Sequence, residues 1–353
     1  MKNIHFPDWL RRVGATIASW PWTRIGLITL CAILSVIFIT MTVGTIYVNG
    51  LLSQIRRPNL EEPLPPAPDL EEPVGPPDDY TGEILDPDDI EQPDDPKVII
   101  AHKDIVNIML VGQDRRPGEN YRTRSDAMIL CTFNKQNKTI TLTSFMRDMY
   151  VEIPGHKSSK MNAAYQWGGM SLLRETMMEN FGVQVDAFIE VDFNGFEKVV
   201  NTVGGVNISL NKAEVEHLNS LYGYKLVVGN NHLNGEQALN YSRIRYVGNS
   251  DFERTERQRR VVDAIISKCK NASFSQLNNL LNNILPSVAT DMTNSQILSY
   301  AVDLFPILAG SSIVQQRIPI NGSYSFQWVG NLDVVLPDIE LNRQYLVDTL
   351  LPK

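Results

Sequence analysis

The stretch Ile105-Val106-Asn107-Ile108-Met109-Leu110-Val111-Gly112 decides the fold of this chain. It is an almost continuous apolar run that ends at a glycine, which is typical of a strand buried on both faces of a sheet. Residues 126–133 and 138–144 carry two further strand patterns, joined by the turn 134–137. Because strand and helix patterns alternate after them, the sequence predicts an α/β fold. We expect a layered α/β/α domain with a central mixed sheet, preceded by one transmembrane helix.

The other elements are predicted from the periodicity of the apolar residues. Residues 313–353 add one or two strands and a short helix. A helix is also expected to start near residue 251. The remaining predicted helices fall at 170–180, 194–202, 235–241, 275–285 and 294–309, and the remaining strands at 185–193 and 206–210.

A charge-free apolar segment, residues 25–48, precedes the domain. It is long enough to span a bilayer, and more basic residues precede it than follow it. We therefore expect a single-pass anchor in the cell membrane, with residues 1–24 as a cytoplasmic tail and the rest of the chain extracellular. The alternative is a cleaved signal peptide. The run is too long for one, and no small-residue cleavage site follows it cleanly.

Residues 49–96 are expected to form an acidic, proline-rich extracellular linker. Between residues 58 and 96 there are fourteen Asp or Glu residues and eleven prolines. Such a composition cannot bury enough apolar surface to offset its ordering entropy, so it predicts an extended spacer before a domain at 97–353. That domain is nearly neutral, which argues against the broad basic surface of a nucleic-acid-binding protein. The three cysteines have neither disulfide-framework nor metal-ligand spacing.

Arginines cluster in the stretch Tyr241-Ser242-Arg243-Ile244-Arg245-Tyr246 and in the helix that follows it. Arg243 and Arg245 are two residues apart, so in an extended segment they point the same way. In the helix, Arg254, Arg257 and Gln258 are spaced to share one face. Guanidinium forks match phosphate oxygens, which predicts a pyrophosphate clamp. The alternative is a solvated face on which acidic neighbours pair with the arginines.

The start of that helix carries two candidate caps. Ser250 and Glu253 form a capping-box pattern, and Asp251 is an equally good cap.

Two aspartates lie at predicted strand ends, where ligands bind in open α/β sheets. Asp114 follows the first strand, and Asp126 opens the second, directly after Arg124 and Ser125. If the second and third strands form a hairpin, Asp126 and Arg147 lie at the same end of the sheet. Carboxylates together with substrate phosphates are the usual ligands of Mg²⁺, so this rim has the composition of a phosphoryl-transfer site. The alternative for each Asp is a turn or cap residue.

Taken together, these motifs resemble the LytR-CpsA-Psr family in order and spacing over about residues 104–272. They are Asn107-Ile-Met-Leu-Val-Gly-Gln-Asp114, Arg124-Ser-Asp126, Ser144-Phe-Met-Arg147-Asp148, Lys160-Met-Asn162-Ala-Ala-Tyr165, Gly168-Gly169, Gly204-Gly205-Val206, His232-Leu-Asn-Gly-Glu-Gln-Ala-Leu239, Tyr241-Ser-Arg-Ile-Arg245 and Asp251-Phe-Glu-Arg254 through Gln258. The anchor and spacer ahead of the domain also look like that family. One departure is Met146, where the family usually has proline.

The resemblance implies a bacterial cell-envelope enzyme. Such an enzyme moves teichoic acid, capsule or a similar glycopolymer from a polyprenyl-pyrophosphate carrier onto peptidoglycan. Asp114 and Asp126 would then hold Mg²⁺ or Mn²⁺. The pyrophosphate would be bound by Arg116, Arg124, Arg147, Arg243, Arg245 and Arg254, with support from Gln258. Arg115 is an extra charge without an assigned role.

Two other classes of protein stay open at this point. One is a non-catalytic polyprenyl-phosphate-binding or regulatory protein of the envelope, and the other is a pyrophosphatase that hydrolyses the carrier. The resemblance also suggests that a polyprenyl chain lies in a tunnel lined by apolar residues, for which ordinary core packing is the alternative. The candidate tunnel residues are Ile189, Phe193, Phe196, Val199, Val200 and Val203.

Overall fold

The computed structural model describes residues 22–58, 65, 75–91, 93–113, 121–245, 247, 250–270 and 274–352. The chain divides into two units, Met1–Ser53 and Gln54–Lys353. The first unit contains helix α1 (Trp22–Leu52), which includes the predicted apolar segment 25–48. Within it, Ile33–Leu52 is long and apolar enough to cross a membrane. The predicted N-terminal apolar helix is therefore confirmed, and its passage through a membrane stays a prediction.

The second unit alternates strands and helices along the described part of the chain. Its strands are β1 (Ile84–Leu85), β2 (Ile105–Gln113), β3 (Ser125–Asn134), β4 (Thr139–Phe145), β5 (Tyr150–Val151), β6 (Ser159–Lys160), β7 (Ala187–Asp192), β8 (Val206–Leu210), β9 (Gly229–Leu233), β10 (Val288–Thr290), β11 (Ser312–Ile318), β12 (Tyr324–Val329) and β13 (Leu332–Pro337). Its helices are α2 (Met161–Phe181), α3 (Phe193–Thr202), α4 (Lys212–Tyr222), α5 (Gly235–Ser242), α6 (Ser250–Lys270), α7 (Phe274–Ile284), α8 (Asn294–Gly310) and α9 (Ile339–Leu350).

A six-stranded mixed sheet forms the centre of this unit, in the order β10-β7-β2-β3-β4-β11. Strands β2, β3 and β4 pair antiparallel, whereas β7 and β11 pair in parallel with β2 and β4. The predicted hairpin of the second and third strands is present. The predicted mixed α/β fold with a central sheet is confirmed.

The apolar run of β2 is buried on both faces, as its composition predicts. Met109 and Val111 pack into one hydrophobic cluster together with residues of α2 and α9. Val106 and Ile108 pack into a second cluster with residues of α8, and α6 flanks it. The alternation of side chains along a strand thus joins two helical layers to one sheet.

A third cluster holds α3, α4, α5 and the β8–β9 hairpin together. Helix α4 was not predicted from the sequence, and it buries little of its surface. Its signal is the capping box of Asn211 and Glu214, which satisfies two backbone donors reciprocally at its N-terminus.

Three other predictions differ from the structure. Helix α2 begins at Met161 rather than at residue 170, because Gly169 interrupts it at φ 64° and ψ −148° and breaks the apolar periodicity. Arg243 caps α5 in helical geometry, so the segment that carries it is not extended as predicted. Residues 312–337 form three strands instead of one or two.

Part of the segment that composition assigns to the linker packs on the domain. Strand β1 pairs in parallel with β12, which in turn pairs with β13. Leu85 and Ile90 pack against a small cluster that contains Tyr150 and Val334. The folded unit therefore includes residues that precede Lys97.

Candidate functional site

Arg147 lies at the centre of a group of carboxylates at one end of the sheet. The β3–β4 hairpin brings it next to Asp126, with 2.7 Å between Arg147 Nη1 and Asp126 Oδ1. Its Nε lies 3.2 Å from Asp148 Oδ2 and 3.8 Å from Asp251 Oδ2. Burial alone would lower the pKa of Arg147, but these carboxylates raise it above its ordinary value. The predicted proximity of Asp126 and Arg147 is therefore present.

Asp148 and Asp251 form a half-buried carboxyl pair beside Arg147. Lys160 Nζ lies 3.3 Å from Asp148, and Arg254 Nη1 lies 3.1 Å from Asp251. Burial favours the protonated form of Asp148, but the hydrogen bond with Asp251 and the charges of Arg147 and Lys160 hold its pKa below the usual range. Burial, followed by the hydrogen bond with Asp148, raises the pKa of Asp251. Asp251 is therefore the member of the pair that takes up a proton more readily.

Asp251 lies inside α6, which begins at Ser250, and its ion pair with Arg254 replaces the capping role suggested for it.

Arg254 is a buried cation whose donors are only partly used. Its side chain is 3% exposed, its Nη1 has the ion pair with Asp251, and within the described part of the chain its Nε has no hydrogen-bond acceptor. Burial, and then the charge of Arg147, lowers the pKa of Arg254 to about 10. A buried guanidinium nitrogen without an acceptor costs free energy, so this position suits an anionic ligand. Gln258, one turn further along α6, donates from Nε2 to the carbonyl oxygen of Asp126 at 3.4 Å.

Arg243 and Arg245 reach the same site from the end of α5. The guanidinium carbon of Arg243 lies 4.4 Å from the ring centroid of Phe193, which fixes the plane of the guanidinium by cation–π contact. Arg245 Nη2 lies 3.8 Å from Asp126 Oδ1. Both side chains are exposed, so their terminal nitrogens are accessible to a ligand.

Arg257 does not belong to the site, contrary to the helix-face prediction. It is 1% exposed and points toward α4, where its Nε donates to Glu214 Oε1 at 2.8 Å. Its terminal nitrogens donate to Glu253 and to the carbonyl oxygens of Ile244 and Val247. Arg257 therefore supports the loop that carries Arg245, instead of binding a ligand itself.

The other predicted site residues fall into two groups. Arg124 donates from Nε to Gln166 Oε1 at 3.3 Å, and burial lowers its pKa, a shift that the charge of Asp148 opposes and that of Arg147 increases. It therefore lies beside the carboxylate group. Asp114, Arg115 and Arg116 lie outside the described residues.

A cavity of about 830 Å³ opens from this rim and extends between the sheet and helices α3 to α6. Asp126, Arg243, Arg245, Arg254 and Gln258 lie along its wall with a lining that is otherwise mostly apolar. Four of the six predicted tunnel residues line it, namely Ile189, Phe193, Phe196 and Val199. Val200 is fully buried in the third cluster, and Val203 packs against that cluster. These two were predicted as tunnel residues, and the described lining does not include them.

Sequence reasoning missed the rest of the apolar lining. It comes from one face of β2 and β3, and from the C-terminal half of α6. No signal in the sequence separates these residues from ordinary core, because both groups show the same apolar periodicity. The main examples are Leu110, Ile129, Cys131, Phe133, Val262, Ile265 and Ile266.

Asp126 is the described carboxylate best placed to hold a metal ion. Among the described residues, its Oδ1 faces Arg147 and Arg245, and no partner is found for Oδ2. Asp148 and Asp251 are engaged by arginine and lysine side chains. No group of three or more metal-ligating residues occurs in the part of the chain that the structure describes. Asp126 can therefore supply one hard oxygen ligand, and a phosphate ligand would have to supply others.

Comparison with known proteins places these features in context. A family model described as the LytR_cpsA_psr family matches residues 81–341. The polyisoprenyl-teichoic acid–peptidoglycan teichoic acid transferase TagU of Enterococcus faecalis is 33% identical over 218 residues, which are 61% of this chain and 70% of that protein. The corresponding transferase TagT of Bacillus subtilis is 34% identical over 234 residues, which are 65% of this chain and 71% of that protein.

Solved structures give the same result for the fold. The LytR-CPS2A-psr family protein YwtF (TagT) with bound octaprenyl pyrophosphate lipid matches with a TM-score of 0.55 and 27% identity, covering 70% of this chain and 91% of that one. TagT bound to LI-WTA matches with a TM-score of 0.58 and 29% identity over the same shares.

Proposed function

The chain belongs to the LytR-CpsA-Psr family, and from that premise we propose that it transfers a glycopolymer from a polyprenyl-pyrophosphate carrier to peptidoglycan. The transferases TagU and TagT, to which it is similar, are named for teichoic acid as the polymer. A teichoic acid is therefore the glycopolymer that we propose. The acceptor is a hydroxyl group of the peptidoglycan glycan.

The single observation that carries this proposal is the continuity of the apolar cavity with the arginines. A polyprenyl pyrophosphate has a long apolar chain and a compact dianionic head, and the cavity offers both environments in one space. The Nε of Arg254 supports the placement of the head, because a phosphate oxygen would provide the acceptor that this nitrogen lacks among the described residues. Arg243 and Arg245 add two accessible guanidinium groups at the same place.

The proposed reaction is a phosphoryl transfer with balanced bonds. The acceptor oxygen attacks the phosphorus next to the polymer, and the bond from that phosphorus to the bridging oxygen breaks. The products are a phosphodiester between polymer and peptidoglycan and the polyprenyl phosphate. Negative charge grows on the bridging oxygen as the bond breaks, and the arginines stabilise it.

The proton of the acceptor hydroxyl must go to a base at the rim. We assign this role to Asp251, because burial and Asp148 raise its pKa and so bring it closer to the value that suits a general base. Arg147 and Arg254 flank Asp251 and hold its orientation. Asp148, with its lowered pKa, stays ionised and holds Arg147 and Lys160 in place.

Asp126 and the phosphate oxygens of the substrate together offer the hard oxygen ligands that a divalent cation requires. Asp126 would hold Mg²⁺ or Mn²⁺ through its second oxygen, together with phosphate oxygens and Asp114. When bound, the cation would neutralise charge on the pyrophosphate. Removal of divalent cations with a chelator is expected to lower the rate of transfer, and added Mg²⁺ to restore it.

The test uses the full-length protein in detergent with a polyprenyl-pyrophosphate-linked polymer. Release of polyprenyl phosphate is measured with and without soluble peptidoglycan fragments. A transferase releases the carrier faster when the acceptor is added, and the polymer appears on the acceptor. Equal rates with free polymer phosphate as product would identify a pyrophosphatase. Binding without release, with Mg²⁺ and acceptor present, would identify a non-catalytic carrier-binding protein.

A further inference from the structure

An aromatic patch of Phe252, Tyr324 and Phe326 lies directly beside the carboxylate rim. Phe252 follows Asp251 in α6, and its ring centroid is 5.0 Å from that of Tyr324 and 6.0 Å from that of Phe326. Tyr324 and Phe326 lie on the same face of β12, with their centroids 5.7 Å apart. Phe326 is 61% exposed. Phe252 is 7% exposed and Tyr324 is half-buried, so Phe326 provides the accessible ring of the patch.

Two arginines border this patch. The guanidinium carbon of Arg317 lies 4.2 Å from the ring centroid of Phe252, and its Nε donates to the carbonyl oxygen of Pro319 at 3.1 Å. Arg259 is 7% exposed, and across the described ranges its Nε and Nη1 have no hydrogen-bond acceptor. A buried guanidinium in this state points to an anionic ligand that completes it.

Local acidic groups do not neutralise these two arginines fully. Burial lowers the pKa of Arg259 to about 10, with Glu256 opposing the shift and Arg317 adding to it. Glu256 is exposed and pairs with Arg260 on its own helix, with 3.3 Å between Arg260 Nε and Glu256 Oε1. Burial lowers the pKa of Arg317, and Tyr324 and the same Glu256 oppose that shift. The patch and its arginines together carry net positive charge beside aromatic faces.

The position of this surface suits the acceptor better than the donor. In an in-line displacement, the nucleophile approaches from the side opposite the leaving group. The leaving group is the carrier phosphate, whose chain we place in the cavity lined by Phe193 and Phe196. Phe252, Tyr324 and Phe326 are not among the described residues that line this cavity. The proposed base, Asp251, immediately precedes Phe252 in α6, so an acceptor bound on Phe326 would lie close to it.

We propose that Phe326, held in place by Phe252 and Tyr324, forms with Arg259 and Arg317 the acceptor subsite, which binds a glycan bearing a carboxylate. This inference rests on the proposed transferase function. The C–H bonds of a pyranose ring carry partial positive charge and pack on the negative face of an aromatic ring. The carboxylate of the glycan or of its attached peptide pairs with these guanidinium groups, and the Nε and Nη1 of Arg259 lack acceptors among the described residues. The subsite therefore recognises a sugar ring and an anion on one ligand.

The first experiment measures binding and does not depend on turnover. Soluble peptidoglycan fragments are titrated into the full-length protein in detergent, and the dissociation constant is measured by calorimetry for wild type, Phe326→Ala and Arg317→Gln. We expect each substitution to weaken binding by roughly threefold to tenfold, the range of one aromatic or charged contact. Val302→Ala and Lys212→Gln change exposed residues of α8 and α4 and serve as matched controls.

Fragments with amidated carboxyl groups separate the two parts of the subsite. They should bind wild type as weakly as unmodified fragments bind Arg317→Gln. They should bind Phe326→Ala more weakly still, because the aromatic contact is lost as well. Equal binding of unmodified fragments by wild type, Phe326→Ala and Arg317→Gln would overturn the inference, and so would no binding at all.

Kinetics with the carrier substrate then exclude the donor polymer as the occupant. We expect the KM for the acceptor to rise in Phe326→Ala and Arg317→Gln, while the KM for the carrier-linked polymer stays within about twofold of wild type. A rise in the carrier KM alone would assign the surface to the donor and refute the inference. The proposed function fails in a different way: fragments would bind to the wild-type protein, but they would not change its rate of carrier release.

Discussion

Arg254 and Arg257 offer a matched pair of substitutions, because both are buried arginines of α6 with opposite surroundings. Arg257 donates to two carboxylates and two carbonyl oxygens, whereas among the described residues Arg254 Nε has no acceptor and Nη1 has only the ion pair with Asp251. We predict that Arg254→Met changes the free energy of unfolding by less than about 1 kcal/mol, because the lost ion pair with Asp251 is offset by relief of a buried charge. Arg257→Met should cost about 3–5 kcal/mol, because it leaves Glu214 buried and unpaired.

The two substitutions should affect activity in the opposite order, with the larger loss in Arg254→Met. Arg254→Met removes a charge aimed at the pyrophosphate, so carrier release should fall by roughly 10²–10³-fold in folded protein. Arg257→Met, measured at a temperature where it stays folded, should retain activity within about tenfold of wild type, because its side chain supports the Arg245 loop and does not meet the substrate.

The assay combines urea unfolding, followed by tryptophan fluorescence, with release of polyprenyl phosphate under identical detergent conditions. The reasoning is refuted if Arg254→Met unfolds as easily as Arg257→Met, or if it keeps wild-type activity. Either result would mean that Arg254 has structural acceptors and is not held ready for a ligand.

Three further predictions follow from single contacts. Arg243→Lys keeps the charge but loses the fork stacked on Phe193, so carrier release should fall by roughly tenfold or more, while Lys212→Gln stays at the wild-type rate. Asp148 has a lowered pKa in the folded state, so the stability that it contributes is complete above its unfolded pKa of about 3.9 and is lost as the pH falls through the folded value. Urea midpoints should therefore fall more steeply below about pH 4 for wild type than for Asp148→Asn. Val199→Trp fills part of the cavity, so it should raise the KM for a long-chain carrier but not for a short-chain soluble analogue; equal KM values for both would argue against the cavity as the site of the lipid.

The central sheet could be predicted because its signal is local. The run of β2 is apolar at nearly every position, as a strand buried on both faces requires. The hairpin that brings Asp126 to Arg147 follows from a short turn between two strand patterns. These features need no knowledge of distant contacts.

The different roles of Arg254 and Arg257 in α6 could not be predicted, because they depend on a distant partner. Arg254 and Arg257 both fit the helix face expected for a clamp, since spacings of three and four residues are equivalent by periodicity alone. Glu214 of α4 decides that Arg257 turns into the core. That helix was not predicted, so its carboxylate could not be considered.

The cavity and the aromatic patch were hidden for a related reason. Leu110 and Ile129 read as core residues, and only the arrangement of α3 to α6 over the sheet leaves a space beside them. Phe252 and Arg317 are far apart in sequence, and β11 brings them into contact. Apolar periodicity shows which residues are covered, but not whether protein or ligand covers them.

The most direct test of the transferase account is the fate of solvent oxygen. The full-length protein is supplied with the carrier-linked polymer, Mg²⁺ and peptidoglycan fragments in water enriched in heavy oxygen, and the products are examined by mass spectrometry. The account predicts a phosphodiester-linked product and a polyprenyl phosphate that both lack the heavy isotope, because the attacking oxygen comes from the acceptor hydroxyl. Incorporation of one heavy oxygen into free polymer phosphate or into polyprenyl phosphate, with no linked product, would contradict it and identify water as the nucleophile.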